Sequence, residues 1–376
     1  MTYHLLTKPE STIHQGMPEL KWQDNKTTSL FEFWPIQLIY FPVVLQWLYL
    51  SLRHRSLSLP LIANTSIPLA GMVGESKSSI LNIAGTHASS LIAPFICLNN
   101  DTSKNLSARM ACALQKLTQA GITFPLVAKP DIGCRGAGVK IIHNCAALEA
   151  YLRNFPEKAD LLLQKKINYE AEAGIFYVRH PGQTRGTISS ITLKYSPYVI
   201  GDGNHSLRQL IEADPRARKI SAIYLSRHQS MLDTIIPNKT AFRLSFAGSH
   251  SKGSIFRNGN QFISTDLTRA FDKIADDIDG FYYGRFDIRF ENTNQLMLGE
   301  SFSILEINGA SAEAAHIWDR NTSLRDVYKT LFHQYKTLFH IGHLNRKNGH
   351  RPPSIWQLLK AWRKESRLVR QYPETD

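Results

Sequence analysis

Hydrophobic and polar residues alternate along this chain with two periods, and each period marks an element. Phe281 to Phe290 reads FYYGRFDIRF. Extended-chain alternation puts Phe286, Ile288 and Phe290 on one side of a strand and Arg285, Asp287 and Arg289 on the other. Ser303-Ile-Leu-Glu-Ile-Asn308 repeats the pattern, with Leu305 and Ile307 toward a core and Glu306 and Asn308 opposite. If the two strands pair, one polar surface carries Asp287, Glu306 and Asn308. Helical periodicity appears over 103–120, where Leu106, Met110, Leu114 and Leu117 share a side, and over 146–154 and 207–212. It is clearest over 265–279, with Leu267, Phe271, Ile274 and Ile278 as the stripe and Gly280 as the stop.

Two segments fit neither period cleanly. Residues 31–52, FEFWPIQLIYFPVVLQWLYLSL, are strongly apolar and aromatic but are interrupted by Pro35, Gln37, Pro42 and Gln46. Three readings compete: a buried or groove-forming helix, a helix in the membrane interface where Trp34, Tyr40, Trp47 and Tyr49 would be at home, and a membrane span. The first is favoured, with the segment packed in the N-terminal domain. The C-terminal stretch SIWQLLKAWRKESRLVRQY places Ile355, Leu358, Leu359 and Trp362 on one helical stripe among basic residues. It reads as a terminal helix packed on the fold with a solvated basic face, or as a dock for anionic lipid.

The candidate chemistry starts at Phe124. An apolar strand runs to Lys129, and a loop with Gly133, Arg135, Gly136 and Gly138 follows. Glycines let the backbone approach anionic oxygens closely, and Lys129 and Arg135 add positive charge. No Gly-Lys-Ser/Thr follows, so this is not a Walker loop, and it lacks the G-x-G-x-x-G spacing. Taken alone, a plain turn and a phosphate loop are equally good readings. Asp287, Glu306 and Asn308 change the balance. Oxygen ligands of that kind suit magnesium, which takes few protein ligands plus phosphate oxygens. Their alternative is the solvated face of an antiparallel pair.

These pieces, in this order, resemble the ATP-grasp superfamily of carboxylate–amine ligases over roughly residues 105–320. The set includes the lysine strand and glycine loop, then Leu161-Leu-Leu-Gln-Lys-Lys-Ile167, then Lys194. The loop Val199-Ile-Gly-Asp-Gly-Asn-His-Ser206 is similar to that of cyanophycin synthetase and of the ligase module in bifunctional glutathione-making enzymes. The Arg-Phe-Asp and Glu-x-Asn strands are similar to those of D-alanine–D-alanine ligase. The resemblance implies an α+β ATP-grasp fold, two α+β subdomains gripping ATP, with an N-terminal α/β substrate domain. It implies Lys129 on the α- and β-phosphates under a mobile loop, Gly133 to Gly138. Gln164, Lys165 and Ile167 would receive adenine, and Glu172 (or Glu170) ribose. Lys194 would lie near the γ-phosphate, and Arg285 would steady the tetrahedral intermediate. Asp287, Glu306 and Asn308 would hold magnesium, with manganese as a substitute. Gln164 stands where many members have glutamate. The implied reaction joins a small-molecule carboxylate to an amine through an acyl phosphate.

Length and charge refine this picture. With 376 residues the chain has room for several domains. The expected division is 1–104 (substrate domain), 105–190 (first ATP-grasp subdomain and lid), 191–345 (second subdomain with the metal site) and 346–376 (basic tail). Cys97, Cys112, Cys134 and Cys145 show no C-x-x-C spacing, so no disulfide or zinc framework is expected. That usage and the need for ATP suit a cytoplasmic enzyme, with peripheral membrane contact through 31–52 or the basic helix as the variant. The net charge of +13 is concentrated in Arg346-Lys-Asn-Gly-His-Arg351 and Lys360 to Arg370. No nucleic-acid motif accompanies it, so no nucleic-acid partner is expected. Between Ala63 and Lys77, the residues Gly71, Gly74, Glu75, Ser76 and Lys77 are either substrate contacts or a loop ending in a helix cap.

Overall fold

Three antiparallel sheets organise the computed structural model, which describes residues 6–20, 28, 29, 31, 32, 34–134, 136–246 and 248–375. The strands are β1 (Thr7–Pro9), β2 (Phe95–Asn99), β3 (Leu126–Pro130), β4 (Lys140–Ile142), β5 (Asp160–Lys165) and β6 (Ala171–Val178). They continue with β7 (Thr187–Tyr195), β8 (Tyr198–Ile200), β9 (Thr240–Arg243), β10 (Ile255–Asn258), β11 (Tyr283–Phe290) and β12 (Phe302–Asn308). A five-stranded sheet runs in the order β10-β7-β6-β11-β12, a four-stranded one β2-β5-β3-β4 and a three-stranded one β1-β9-β8. This is the α+β arrangement expected.

The five-stranded sheet has one apolar and one polar face. Ala173, Ile175, Ile191, Phe286, Ile288 and Phe290 are buried against the helix Thr265–Asp276, whose Leu267, Phe271 and Ile274 meet them. That leaves the opposite face free for charged residues. The four-stranded sheet has its own core, where Leu126, Ala128, Leu161 and Leu163 pack on the helices Leu106–Gln119 and Cys145–Asn154. Asn105 and Asn144 cap those helices with their side chains, at backbone amides 2.8 and 2.9 Å away.

The N-terminal region contributes two strands to sheets built mainly from later segments. Its two strands form no sheet of their own: β1 pairs with β9, and β2 pairs with β5. The boundary expected at 104 falls just after a strand of the four-stranded sheet. An edge left open on β5 would strand its ladder groups, and β2 covers them. The segment 92–94 also stitches the two larger sheets together: the Ala93 amide donates to the Ile304 carbonyl at 2.9 Å, and the Lys165 amide to the Pro94 carbonyl at 2.8 Å.

Residues 36–54 form one helix, Ile36–His54, carried through Pro42. Only part of it is buried. Ile39, Val43 and Leu50 pack inward, while Phe41, Val44 and Leu48 are exposed, so packing of the whole segment within the fold is not what the chain does. Its partner is the helix Leu324–Lys347. Among the described residues, no helix is long and apolar enough to cross a membrane. The terminal helix Ile355–Val369 packs through Leu368, and Tyr372 follows it into the core of the four-stranded sheet.

Candidate active site

Strand register builds the polar face. Asp287 on β11 lies opposite Glu306 on β12, and Arg285 opposite Asn308. On its other side β11 pairs with β6, placing Asp287 against Gly174 and Arg289 against Glu172. Gly174 is obligatory here, since a Cβ would come within 2.8 Å of the Arg285 side chain. Asp287 is the centre of the face. It accepts from Arg285 through both oxygens, at 2.7 and 3.1 Å, from Lys194 at 2.9 Å and from the Asn308 amide at 3.2 Å. Burial opposes a charge there, but Arg285 and Lys194 hold the carboxyl well below the ordinary range. The same pairing outweighs burial for Arg285 and raises its pKa further; its Nη1 donates to the Glu313 carbonyl at 3.0 Å.

A bulge aims the second sheet at this face. The β11–β12 register shifts between Asp287 and Ile288, leaving Leu305 without a ladder partner. Its carbonyl instead accepts from Lys129 Nζ at 3.0 Å and from Gln164 Nε2 at 3.3 Å, both on the four-stranded sheet. Lys129 is thereby held, 6% exposed, near the acidic residues Glu306, Asp287 and Glu172. Burial pushes its ammonium down to about 8, and the Glu306 carboxylate works against that fall. Such a group gains most from an anionic ligand.

The glycine loop starts where Lys77 reaches it. Lys77 Nζ donates to the Gly133 carbonyl at 2.7 Å and lies 3.7 Å from Glu306. One lysine from the N-terminal region thus touches both the loop and the acidic face. Asp131 fixes its approach by accepting from the Ser78 amide at 2.7 Å, at the start of the helix Lys77–Asn82 that Ser76 caps. Gly136 and Gly138 adopt left-handed backbone, with φ of 72° and 71°, which side chains rarely take. Arg135 lies outside the described residues. Glu75, beside Lys77, has a buried oxygen with no hydrogen-bond partner among the described residues. Burial raises its pKa to about 8.

The two ribose candidates separate clearly. Glu170 is engaged away from the cleft by Lys8 at 3.0 Å, Arg243 at 2.7 Å and Tyr198 at 2.9 Å. Glu172 sits on the polar face, 3.4 Å from Lys194 and 3.7 Å from Arg289. In the connecting strand, Gln164 turns inward, donating to the Ala93 carbonyl at 3.2 Å as well as to Leu305. Its side chain ties the sheets together and is not turned out for a base. Lys165 is exposed and Ile167 half-buried.

Sequence patterning named Arg289 as a face residue without a role. It fixes the strand connection by donating to the Tyr169 carbonyl at 2.8 Å while approaching Glu172. The C-terminal contacts were not anticipated at all. Tyr372 donates to the Ile132 carbonyl at 2.5 Å, Thr375 Oγ1 donates to the Gly136 carbonyl at 2.9 Å, and the Gly138 amide donates to Thr375 at 3.1 Å.

Among the described residues no group of three or more His, Cys, Asp or Glu side chains gathers as a metal cage. The set on the polar face is instead two carboxylates and an amide. Those oxygens suit a hard divalent cation that is shared with phosphates. In the empty site Lys194 and Arg285 are paired with Asp287, and Lys77 approaches Glu306.

Solved structures with a similar course of chain include a D-alanine–D-alanine ligase from Bacillus anthracis: 15% identity, TM-score 0.40, 73% of this chain and 69% of that one. A D-Ala:D-Ser ligase from Enterococcus faecalis gives 11%, 0.38, 71% and 62%. A bifunctional glutathione synthetase from Pasteurella multocida gives 16%, 0.35 and 69%, and this chain spans only 36% of that enzyme. At such identities and TM-scores no residue role transfers, and the site stands on the contacts above. No family model and no curated protein matches the chain.

Proposed function

We propose that this protein is an ATP- and magnesium-dependent ligase joining a carboxylate to an amine, with amino-acid or peptide-like substrates. The observation that carries the reading is that Lys129 bonds the Leu305 carbonyl beside the face formed by Lys194, Glu172, Arg285, Asp287, Glu306 and Asn308, while Lys77 links Glu306 to the start of the glycine loop. A nucleotide triphosphate needs cations for its phosphates and oxygen ligands for its metal, and side chains of both kinds lie together here.

In this reading Lys129 and Lys194 bind phosphate oxygens and the glycine loop closes over them. Glu172 accepts from ribose, and the connecting strand around Lys165 and Ile167 borders the adenine. Asp287, Glu306 and Asn308 hold magnesium, which when bound neutralises charge on the phosphates. The substrate carboxylate attacks the γ-phosphorus, the bond to ADP breaks, and an acyl phosphate forms. The amine then attacks the carbonyl carbon and phosphate leaves. Arg285, held rigid by Asp287 and the Glu313 carbonyl, faces the oxyanion of that step.

The test is an ADP-release screen across amino acids and amines, with product masses measured. Ligation requires two co-substrates and gives a product lighter than their sum by one water. A product carrying phosphate from a single acceptor would make the protein a phosphotransferase. Nucleotide binding without ADP release from any pair would make it a nucleotide-binding regulator.

A further inference from the structure

The helix Ile36–His54 turns an apolar stripe to solvent. Leu38, Phe41, Leu45, Leu48 and Leu52 recur at alternating steps of three and four residues, which places them on one side of a helix. Their exposures are 61%, 62%, 52%, 49% and 80%. Trp34 extends the stripe at one end, and Val44 and Tyr49 widen it. The opposite side is anchored: Ile39 and Val43 are buried, and Gln46 donates to the Phe332 carbonyl at 2.9 Å. The exposed face is therefore fixed in place. From Leu38 to Leu52, at about 1.5 Å per residue, it is roughly 21 Å long, and a stripe of that size is beyond what single exposed apolar residues explain.

Its charge surroundings identify the occupant. The helix contains no Asp or Glu, and exposed Arg53 and Arg55 close it. Beside that end, Arg346 donates to the His54 carbonyl at 2.9 Å, and the His54 and His343 rings lie 5.4 Å apart. The charged neighbours that act on these two histidines are Arg53, Arg346, Lys347 and His340, all basic. A second copy would bring the same charge to this end. Anionic headgroups bring the opposite one, with acyl chains beneath for the leucines.

We propose that this face, Leu38 to Leu52 with Arg53 and Arg55 at its end, docks the protein in the headgroup layer of a membrane containing anionic lipid. The helix lies along the surface rather than across it. The proposal is independent of the ligase reading.

Flotation of the full chain tests it, using phosphatidylcholine vesicles with and without about one third phosphatidylglycerol. The expected result is binding to the mixed vesicles about tenfold or more above the neutral ones, weakened but not abolished by raising salt from about 0.05 to about 0.5 M. The double variant Leu45→Glu/Leu48→Glu is expected to lose the binding while its melting temperature and circular dichroism stay unchanged, because both positions are already solvated. Arg53→Glu/Arg55→Glu is expected to remove the preference for anionic lipid, and Leu38→Ser/Leu52→Ser serves as a second check on the apolar term. Failure of the wild type to float with either vesicle overturns the proposal. So does wild-type flotation of Leu45→Glu/Leu48→Glu. A lipid-independent dimer that this variant abolishes, with no vesicle binding, assigns the face to a second copy and also overturns it.

Discussion

At the residue scale, Lys129 is a buried charge that the empty fold holds at a cost. Its pKa falls from 10.5 to about 8, first through burial. A lysine whose folded value lies below its unfolded one costs stability while charged. That cost is fully present below about pH 8 and disappears as pH rises toward 10.5, because over that window the unfolded chain holds the proton and the folded one does not. The gap corresponds to at most about 3 kcal/mol. Lys129→Met is therefore expected to abolish nucleotide turnover without lowering the melting temperature at pH 7. Melts of both proteins from pH 7 to 10 check it: the wild type should gain on the variant as pH rises through that window. A variant with normal turnover would remove lysine from the phosphate site. Arg285→Ala is expected to act differently, sparing ATP binding and slowing ligation by about 10²–10³-fold, the range for removing one oxyanion donor. Separate titration of ATP affinity and turnover distinguishes the two. The polar face was legible because alternation puts residues 285, 287 and 289 on one side by geometry alone. The role of Leu305 was not, since alternation assigned it to the core and only the bulge turned its carbonyl to Lys129 and Gln164.

At the scale of elements, hydrophobic stripes carried most of what the sequence revealed. Ser206 forms a capping box with Gln209 at the helix Leu207–Ala213, and the stripe over 265–279 became the helix Thr265–Asp276 against the five-stranded sheet. The longest described helix, Leu324–Lys347, went unread although Val327, Leu331, Leu338 and Ile341 recur at helical spacing; several lysines and histidines between them blur the stripe. The C-terminal strap could not be read at all, because its partners lie far away along the chain. Tyr372 stacks on Phe155 with ring centroids 5.5 Å apart and bonds the Ile132 carbonyl, while Thr375 holds both Gly136 and Gly138. Tyr372→Ala should lower stability by about 2 kcal/mol, from lost aromatic packing and a lost hydrogen bond. It should also speed amide exchange at Gly138 and Val139 more than in the helix Thr265–Asp276. Equal exchange at both places would mean that the tail does not restrain the loop.

For the whole molecule, the described N-terminal residues tie into later parts of the chain. Lys8 reaches Glu170 at the start of β6, and β1 extends the sheet of β8 and β9. Glu32 makes the deepest of these ties. It accepts from Arg216 and lies 3.0 Å from His250, with its side chain 2% exposed. Burial alone would raise its pKa, but the His250 hydrogen bond and the Arg216 charge bring it from 4.5 down to about 2. A carboxylate with a lowered folded pKa contributes stability above its unfolded value and loses it as pH falls through the folded one. The window therefore runs from about pH 4.5 down to about 2, and the contribution is at most about 3 kcal/mol. Glu170, also brought to about 2 against burial by Arg243 and Lys8, acts in the same window. Wild-type stability should fall steeply across it. Glu32→Gln removes the carboxylate charge beside buried Arg216 and His250, so it is expected to be less stable at pH 7 by about 3 kcal/mol and to show a shallower acid limb. Urea midpoints of both proteins at pH 7, 4.5 and 3 decide this. If the difference between them persists undiminished at pH 3, the ion pair is not what fastens the N-terminal segment to the residues around Arg216.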